Sequence, residues 1–321
     1  MKRQIATLAM MISSVATAIS YPPALVGKDG YLFAPRMESY LPEWGGYVNT
    51  SSYEMIDNLK QTLNKKGIDV YVVIVPTKIS VLQKYLPDEV KLSDTDKSRY
   101  DTITKKLNDR AVVNVPIKQI LENQANGRSY FKQDTHWNPE GSRAAANALA
   151  TAISNKSATL SKIPSLKISA KEQIKQSNPG DLVKLLPENQ QAAYKSGEKF
   201  TSINFTKAEA GLLGDDYPDI VLLGSSYSSS NLGFADSLAY ALQKDVLNVS
   251  MPANSKFGIW SSIEKYFNGS DFKSHVPKIV ILEFPERDFH QTPSVLINNK
   301  RDADFDLKWV ASIQAVIEKT R

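Results

Sequence analysis

An α/β fold layered around a central, mainly parallel sheet is what this 321-residue sequence predicts. Three observations carry the prediction. Val70-Tyr71-Val72-Val73-Ile74-Val75, Asp219-Ile220-Val221-Leu222-Leu223 and Lys278-Ile279-Val280-Ile281-Leu282-Glu283-Phe284 are almost continuous apolar runs. Such runs suit strands buried on both faces, as in a parallel sheet. Segments with apolar residues at helical spacing lie between them, and the alternation persists along most of the chain.

Taken in order, Val26 to Phe33 reads as a glycine turn feeding a short strand, and residues 50–66 as a helix stopped by Gly67. After the strand 70–75 come a helix over 94–110, a strand over 111–115 and a short helix over 117–124. Tyr130-Phe131 is expected as a brief strand. Asn138 then caps a helix that has Pro139 at its first position and runs through Ala144, Ala145, Ala148, Leu149 and Ile153. Residues 155–215 break the rhythm: they are polar, contain Pro164, Pro179-Gly180 and Pro187, and are expected to form an insertion over the sheet with a strand near 200–203. Alternation resumes with the strand 219–223, a helix over 232–243, a strand over 246–249, a helix over 256–267, the strand 278–284 and a closing helix over 308–319.

Composition narrows the classes of function. The formal charge of +5 includes Lys2 and Arg3, and no basic block is interleaved with aromatics, which argues against nucleic acid. There is no cysteine, so disulfides, thiolate metal sites and a cysteine nucleophile are excluded. Met1-Lys2-Arg3, an apolar run to about Ala16, and small residues at Ala16, Ala18 and Ser20 form the pattern of a signal peptide over residues 1–20, cut after Ala18 or Ser20. The alternative is an uncleaved inner-membrane anchor, although the run falls short of the roughly 20 apolar residues a bilayer crossing needs.

Two stretches are candidates for chemistry. In Asp134-Thr135-His136-Trp137, an extended backbone would place Asp134 and His136 on one face, with the carboxylate orienting the imidazole. Asp-x-His also suits two metal ligands, to be completed by carboxylates, since only His275 and His290 remain as further imidazoles. In Gly224-Ser225-Ser226-Tyr227-Ser228, a small residue and a serine follow a buried strand, the place where open α/β sheets bind ligands. A flexible serine-rich turn is the plain alternative. Glu283 and Arg287, at the end of the last strand, are expected to pair at a pocket mouth, or to be only a structural ion pair. Trp137 is either a sugar platform or a packing residue behind the histidine.

Together these stretches resemble a family. Lys28-Asp29-Gly30-Tyr31-Leu32-Phe33, Val75-Pro76-Thr77-Lys78, Asp134-Thr135-His136-Trp137, Gly224-Ser225-Ser226-Tyr227-Ser228 and Glu283-Phe284-Pro285-Glu286-Arg287 occur in an order similar to that of the AlgJ/AlgX-like alginate O-acetyltransferases. The resemblance implies an SGNH-hydrolase-like three-layer domain over residues 21–321, circularly permuted, with 155–215 inserted within it. It implies Ser226 as nucleophile, His136 as base and Asp134 as its orienter, supported by Tyr227, Arg287, Glu283 and Trp137, with neither cofactor nor metal. Ser225 stands where SGNH enzymes usually carry Asp. AlgX-like members add a carbohydrate-binding module, so the chain looks closer to the single-domain AlgJ type. The implied reaction moves an acetyl group through a serine acyl-enzyme onto hydroxyls of an exported, alginate-like polysaccharide in the periplasm. The oxyanion would be held by the Ser226 N–H and a donor from the 248–258 loop. The implied partners are the polysaccharide, a membrane-bound O-acyltransferase as acetyl donor, and other exopolysaccharide export proteins. An acetyl esterase using the same residues, or a non-catalytic polysaccharide-binding component, are the alternative functions.

Overall fold

Alternate residues of the long apolar strands face opposite sides of one sheet, and each side has its own core. The computed structural model describes residues 22–38, 50–207, 217–252 and 258–320; the expected signal peptide lies outside them. The described chain opens with an antiparallel pair, β1 (Leu25–Val26) and β2 (Leu32–Phe33). The central sheet uses β3 (Asp69–Val75) and β4 (Val113–Asn114). A separate hairpin of β5 (Ile168–Gln176) and β6 (Lys199–Lys207) follows, and then β7 (Ile220–Leu223), β8 (Leu247–Asn248) and β9 (Ile279–Pro285) rejoin the central sheet. Its spatial order is β4-β3-β9-β7-β8, with every neighbouring pair parallel. The last strand in sequence is therefore central, paired along its length with β3 from Asp69↔Ile279 to Val75↔Pro285.

On one face Tyr71, Val73, Val75, Ile220, Leu222, Ile279 and Ile281 pack on the helices Pro139–Lys156 and Phe234–Leu242. On the other, Val70, Val72, Ile74, Val221, Leu223, Val280 and Leu282 meet the helices Ser52–Lys65, Asp94–Asn108, Ile259–Asn268 and Ala303–Lys319. This is the three-layer α/β arrangement expected. Each fully buried aliphatic side chain contributes about 1.5–3 kcal/mol, so the two cores dominate stability. Among the described residues no helix is long and apolar enough to cross a membrane.

Several elements differ from expectation. Tyr130 makes only a single bridge to Trp137 rather than a strand. The strand expected at 111–115 contracts to Val113–Asn114, and the closing helix begins earlier, at Ala303, where Asp302 accepts from the Phe305 N–H. In the polar stretch the strand near 200–203 has a partner the sequence did not reveal, β5, whose residues beyond Ile168 are mostly exposed. With no buried face there is no alternation to read. The hairpin leans on the two helices of the first layer through Arg143–Glu172 (2.7 Å) and the Phe205–Tyr240 ring contact (5.6 Å between centroids).

The helix starting at Pro139 is set firmly. The Asn138 side chain accepts from the Glu140 and Gly141 N–H groups, both at 3.0 Å, and a Cβ on Gly141 would lie 2.1 Å from the Ser129 carbonyl oxygen. Asn138→Ala is expected to cost about 1 kcal/mol through the lost cap. Gly141→Ala is expected to cost about 1–3 kcal/mol by overpacking. Urea unfolding of both variants measures the two costs, and equal stability of wild type and Gly141→Ala would refute the close approach.

Candidate active site

The carboxyl ends of three neighbouring strands supply the site. β7 runs into the serine turn, β9 into Glu283–Arg287, and β3 into Thr77-Lys78. The turn after β7 is held by a carboxylate from the adjacent central strand. Glu283 is fully buried and accepts from the Ser225 N–H (2.8 Å), the Ser225 hydroxyl (3.0 Å) and the Ser228 hydroxyl (2.9 Å). The Ser225 hydroxyl in turn accepts from the Tyr227 N–H at 3.1 Å. A Cβ on Gly224 would come within 2.9 Å of Glu283 Oε2 and 2.7 Å of Ser228 Oγ, so only glycine fits between strand and turn. Burial pushes the Glu283 carboxyl up to about 7, against the opposing pull of these hydrogen bonds.

Opposite the turn stands His136. Its Nε2 lies 2.8 Å from Ser226 Oγ and its Nδ1 2.6 Å from Asp134 Oδ1. A neutral ring with its proton on Nδ1 donates to Asp134 and accepts the Ser226 hydroxyl on Nε2. Asp134 reaches the ring differently from the extended-chain expectation. Residues 132–136 are bent, and Asp134 Oδ1 also accepts from the His136 N–H at 2.9 Å, an Asx-type turn. Burial opposes the Asp134 charge, but the hydrogen bond and charge of His136, with N–H groups of His136 and Asp181, hold its carboxyl down at about 2.

Supporting residues lock both halves together. The Trp137 indole N–H donates to the Tyr227 carbonyl (2.8 Å), and the Tyr227 hydroxyl donates to the Thr135 carbonyl (2.9 Å). The Tyr227 ring packs 4.7 Å from the His136 ring, and the Arg287 guanidinium lies 5.3 Å from its centroid. Trp137 is fully buried, which removes the sugar-platform reading and leaves packing. Glu283 and Arg287 do not meet as an ion pair at a pocket mouth: Glu283 points to the serine turn, while Arg287 Nε lies 3.8 Å from Asp288. Neighbouring residues on a strand alternate in direction, and Glu283 shares the face of Ile279 and Ile281.

Lys78 and Asp181 are the participants that sequence reasoning missed. Lys78 is fully buried, its Nζ donating to the carbonyls of Leu32 (2.6 Å), Lys132 (2.9 Å) and Asp134 (3.0 Å). Burial lowers its pKa to about 8, with Glu38, Glu198, Asp134 and Asp181 pulling the other way. It stands in Val75-Pro76-Thr77-Lys78, one of the stretches on which the family resemblance rests, but no role in the site is read for it there. Asp181 sits in the polar stretch with no local pattern to mark it. Atoms of Asp134, His136 and Asp181 lie within 4.8 Å of one another, the one grouping among the described residues with metal-ligand character, and all are engaged in hydrogen bonds with each other, Thr135 or Ser226. His275 is bound to Asp219 (2.9 Å) before the start of β7, at the opposite end of the strand from the serine turn. His290 is buried, and burial followed by nearby Arg301 and Arg99 pushes it down to about 4.

Ser226 and His136 open into a groove of about 510 Å³ whose walls include Phe131, Lys175, Asn178, Phe200 and Asn231. Past Glu198 and Phe200 lies a second hollow of about 400 Å³ bearing Arg128, Lys132 and Lys199. Asn248 of the expected oxyanion loop is committed: its amide nitrogen donates to the Ser228 carbonyl at 2.8 Å, and its oxygen accepts from the Ser250 N–H at 3.0 Å. Residues 253–257 of that loop lie outside the described residues.

Comparison with known proteins adds a family context. Residues 24–286 match the family model of the SGNH hydrolase-like domain of acetyltransferase AlgX. The chain is 28% identical over 303 residues to the probable alginate O-acetylase AlgJ of Pseudomonas fluorescens, covering 91% of this chain and 73% of that protein. It is 29% identical over 251 residues to the alginate biosynthesis protein AlgX of Pseudomonas syringae pv. tomato, covering 72% of this chain and 49% of that one. The solved O-acetyltransferase domain of Pseudomonas putida AlgJ shares the fold, with TM-score 0.74 and 24% identity over 92% of this chain and 99% of that one. Pseudomonas aeruginosa AlgX does so with TM-score 0.62 and 21% identity over 86% and 67% of the two chains.

Glu283 gives a test separable from catalysis. Glu283→Ala leaves three buried donors without their acceptor and is expected to destabilise by about 2–4 kcal/mol. Glu283→Gln removes the titration and keeps the volume. Because the folded carboxyl titrates at about 7, above its ordinary value of 4.5, wild type gains stability relative to Glu283→Gln below pH 4.5 and loses that advantage as pH rises through 7. Paired denaturant curves from pH 4 to 8 measure the difference. A difference that does not change over that span would refute the assignment.

Proposed function

Because the chain belongs to the family of the AlgX SGNH hydrolase-like acetyltransferase domain, we propose that it is a polysaccharide O-acetyltransferase working through a serine acyl-enzyme. One observation carries the chemical reading: the line Ser226 Oγ, His136, Asp134, with separations of 2.8 and 2.6 Å, opens on a groove at the ends of the strands.

In this reading His136 Nε2 takes the Ser226 proton as Oγ attacks the acetyl carbonyl, and Asp134 stabilises the resulting imidazolium. The negative charge moves to the carbonyl oxygen. Among the described residues the N–H groups beside Ser226 are spent, Ser225 on Glu283 and Tyr227 on Ser225, whereas that of Ser226 has no protein acceptor. In this reading it is left available as a donor to the oxyanion. Collapse expels the leaving group with the proton from His136 and leaves acetyl-Ser226. A sugar hydroxyl then gives its proton to His136 and attacks the same carbonyl carbon; the C–Oγ bond breaks, Ser226 Oγ takes the proton back from His136 Nε2, and the acetylated sugar leaves.

The acceptor proposed is an alginate-like acidic polysaccharide. The names of the relatives support that choice, as do Lys175 in the groove and Arg128, Lys132 and Lys199 beside it. Two carboxylates, Glu140 and Glu198, also line the second hollow, but the Glu198 carboxylate is occupied by the N–H groups of Lys132 (2.9 Å) and Gln133 (3.0 Å). The reading places the reaction in the periplasm, with a membrane-bound O-acyltransferase delivering acetyl groups and other exopolysaccharide export proteins beside it.

An acetyl esterase would use the same residues and differ only in admitting water. Incubation with a chromogenic acetyl ester, with and without alginate, separates the two. The transferase reading expects acetylated polymer, and free acetate alone would refute it. Ser226→Ala is expected to reduce ester turnover by at least about 10³-fold; unchanged turnover would remove Ser226 from the mechanism.

A further inference from the structure

The polar stretch between the hairpin strands does more than cover the sheet. Pro179-Gly180-Asp181-Leu182 is pressed against the backbone that carries the histidine. A Cβ on Gly180 would lie 2.1 Å from the Gln133 carbonyl oxygen and 2.7 Å from the Asp134 nitrogen, so glycine is what permits the approach. The Leu182 N–H donates to the Gln133 carbonyl at 3.2 Å. Its side chain is buried in a small apolar cluster with Ala24, Leu32 and Ala34, which anchors the strap from behind.

Between these two anchors, Asp181 meets each residue of the Asp-Thr-His segment. Its N–H donates to Asp134 Oδ2 at 3.1 Å, the carboxylate oxygen not used by His136. Its own carboxylate accepts from the Thr135 N–H (2.8 Å) and the Thr135 hydroxyl (2.6 Å). Its Oδ2 stands 3.9 Å from His136 Nδ1. Asp134 is thereby held by both oxygens, one on the imidazole and one on the strap, and a second negative charge faces the ring.

We propose that Asp181 is a positioning residue for His136, fixing the Asp134 carboxylate and adding a second carboxylate that favours the imidazolium as Ser226 is deprotonated. The inference rests on the serine acyl-enzyme reading. The other charged groups around His136 are Asp134 on its own loop, Asp288 after β9 with Arg287 beside it, and Lys78 beneath the Asp134 carbonyl. Asp181 binds both the N–H and the hydroxyl of Thr135, and it comes from a part of the chain 47 residues away from Asp134.

Kinetics of chromogenic acetyl ester turnover by the full chain test this, comparing wild type with Asp181→Ala, Asp181→Asn, Gly180→Ala and Ser226→Ala. Asp181→Ala is expected to lower kcat by about 10²-fold through misplacement of the base, with KM nearly unchanged. Asp181→Asn retains hydrogen-bonding partners for Thr135 but loses the charge. It is expected to lose about tenfold in kcat and to shift the acid limb of the pH–rate profile to lower pH, because the imidazolium is less favoured. Gly180→Ala is expected to lower kcat without that shift. A merely structural role would leave the acid limb in place, so an Asn variant whose limb is unmoved overturns the proposal, whatever its kcat. Should Asp181→Ala fail to fold, as judged by circular dichroism, the Asn variant decides alone. Turnover that survives Ser226→Ala overturns the serine reading instead, which keeps the two failures apart.

Discussion

A single buried carboxylate on the central strand governs where the serine can be. Glu283 faces the turn after β7 and collects the Ser225 N–H and two hydroxyls. An unpaired carboxylate in that position would be costly, and three donors are what make the burial tolerable. Because these bonds fix residues 225 and 228, Ser226 between them has little freedom, and its hydroxyl is delivered to His136 by backbone geometry. The absence of a Cβ on Gly224 is the other half of the same constraint, since strand and turn could not close otherwise.

Around this point the strand ends are joined by further buried polar bonds. Glu286 binds the Arg99 Nε at 2.6 Å and the Thr77 N–H at 2.8 Å, Glu38 accepts from the Ile79 N–H at 3.1 Å, and Lys78 collects three carbonyls. Desolvation offsets much of the attraction in such arrangements, so their main contribution is to alignment rather than to net stability. Lys78 illustrates it: one ammonium ties the N-terminal hairpin to the loop that carries Asp134. The motif residues that looked unrelated along the chain are, in space, successive clamps on two loops.

Much of this was legible in the sequence where the signal was local. Buried strands announce themselves by apolar runs, and the helix after His136 by Asn138 and Pro139. Asp134 and His136 were paired from spacing alone, although the pairing is made by a bent Asx-type turn and not by an extended segment. What was illegible was long-range. β5 shows no alternation because it buries almost nothing, Glu283 could not be assigned its partners without the β7–β9 register, and Asp181 reaches Asp134 across 47 residues of chain. Arg287 was expected at Glu283 because they are close in sequence. It lies over Tyr227, since a residue beyond the strand end is free of the strand's alternation.

The order β4-β3-β9-β7-β8 has a consequence for how the molecule comes into being. The strand that bridges the two halves of the sheet is made last, more than 200 residues after β3, its neighbour on one side. Until Ile279–Pro285 is available, β3 and β7 each present an open edge, of the kind that invites pairing with another chain. Closing so distant a pair also makes assembly slow compared with neighbour-to-neighbour folds. The same late strand carries Glu283, so the sheet and the serine turn are completed in one event. In a nascent chain the serine turn has no buried carboxylate to hold it until the sheet is whole.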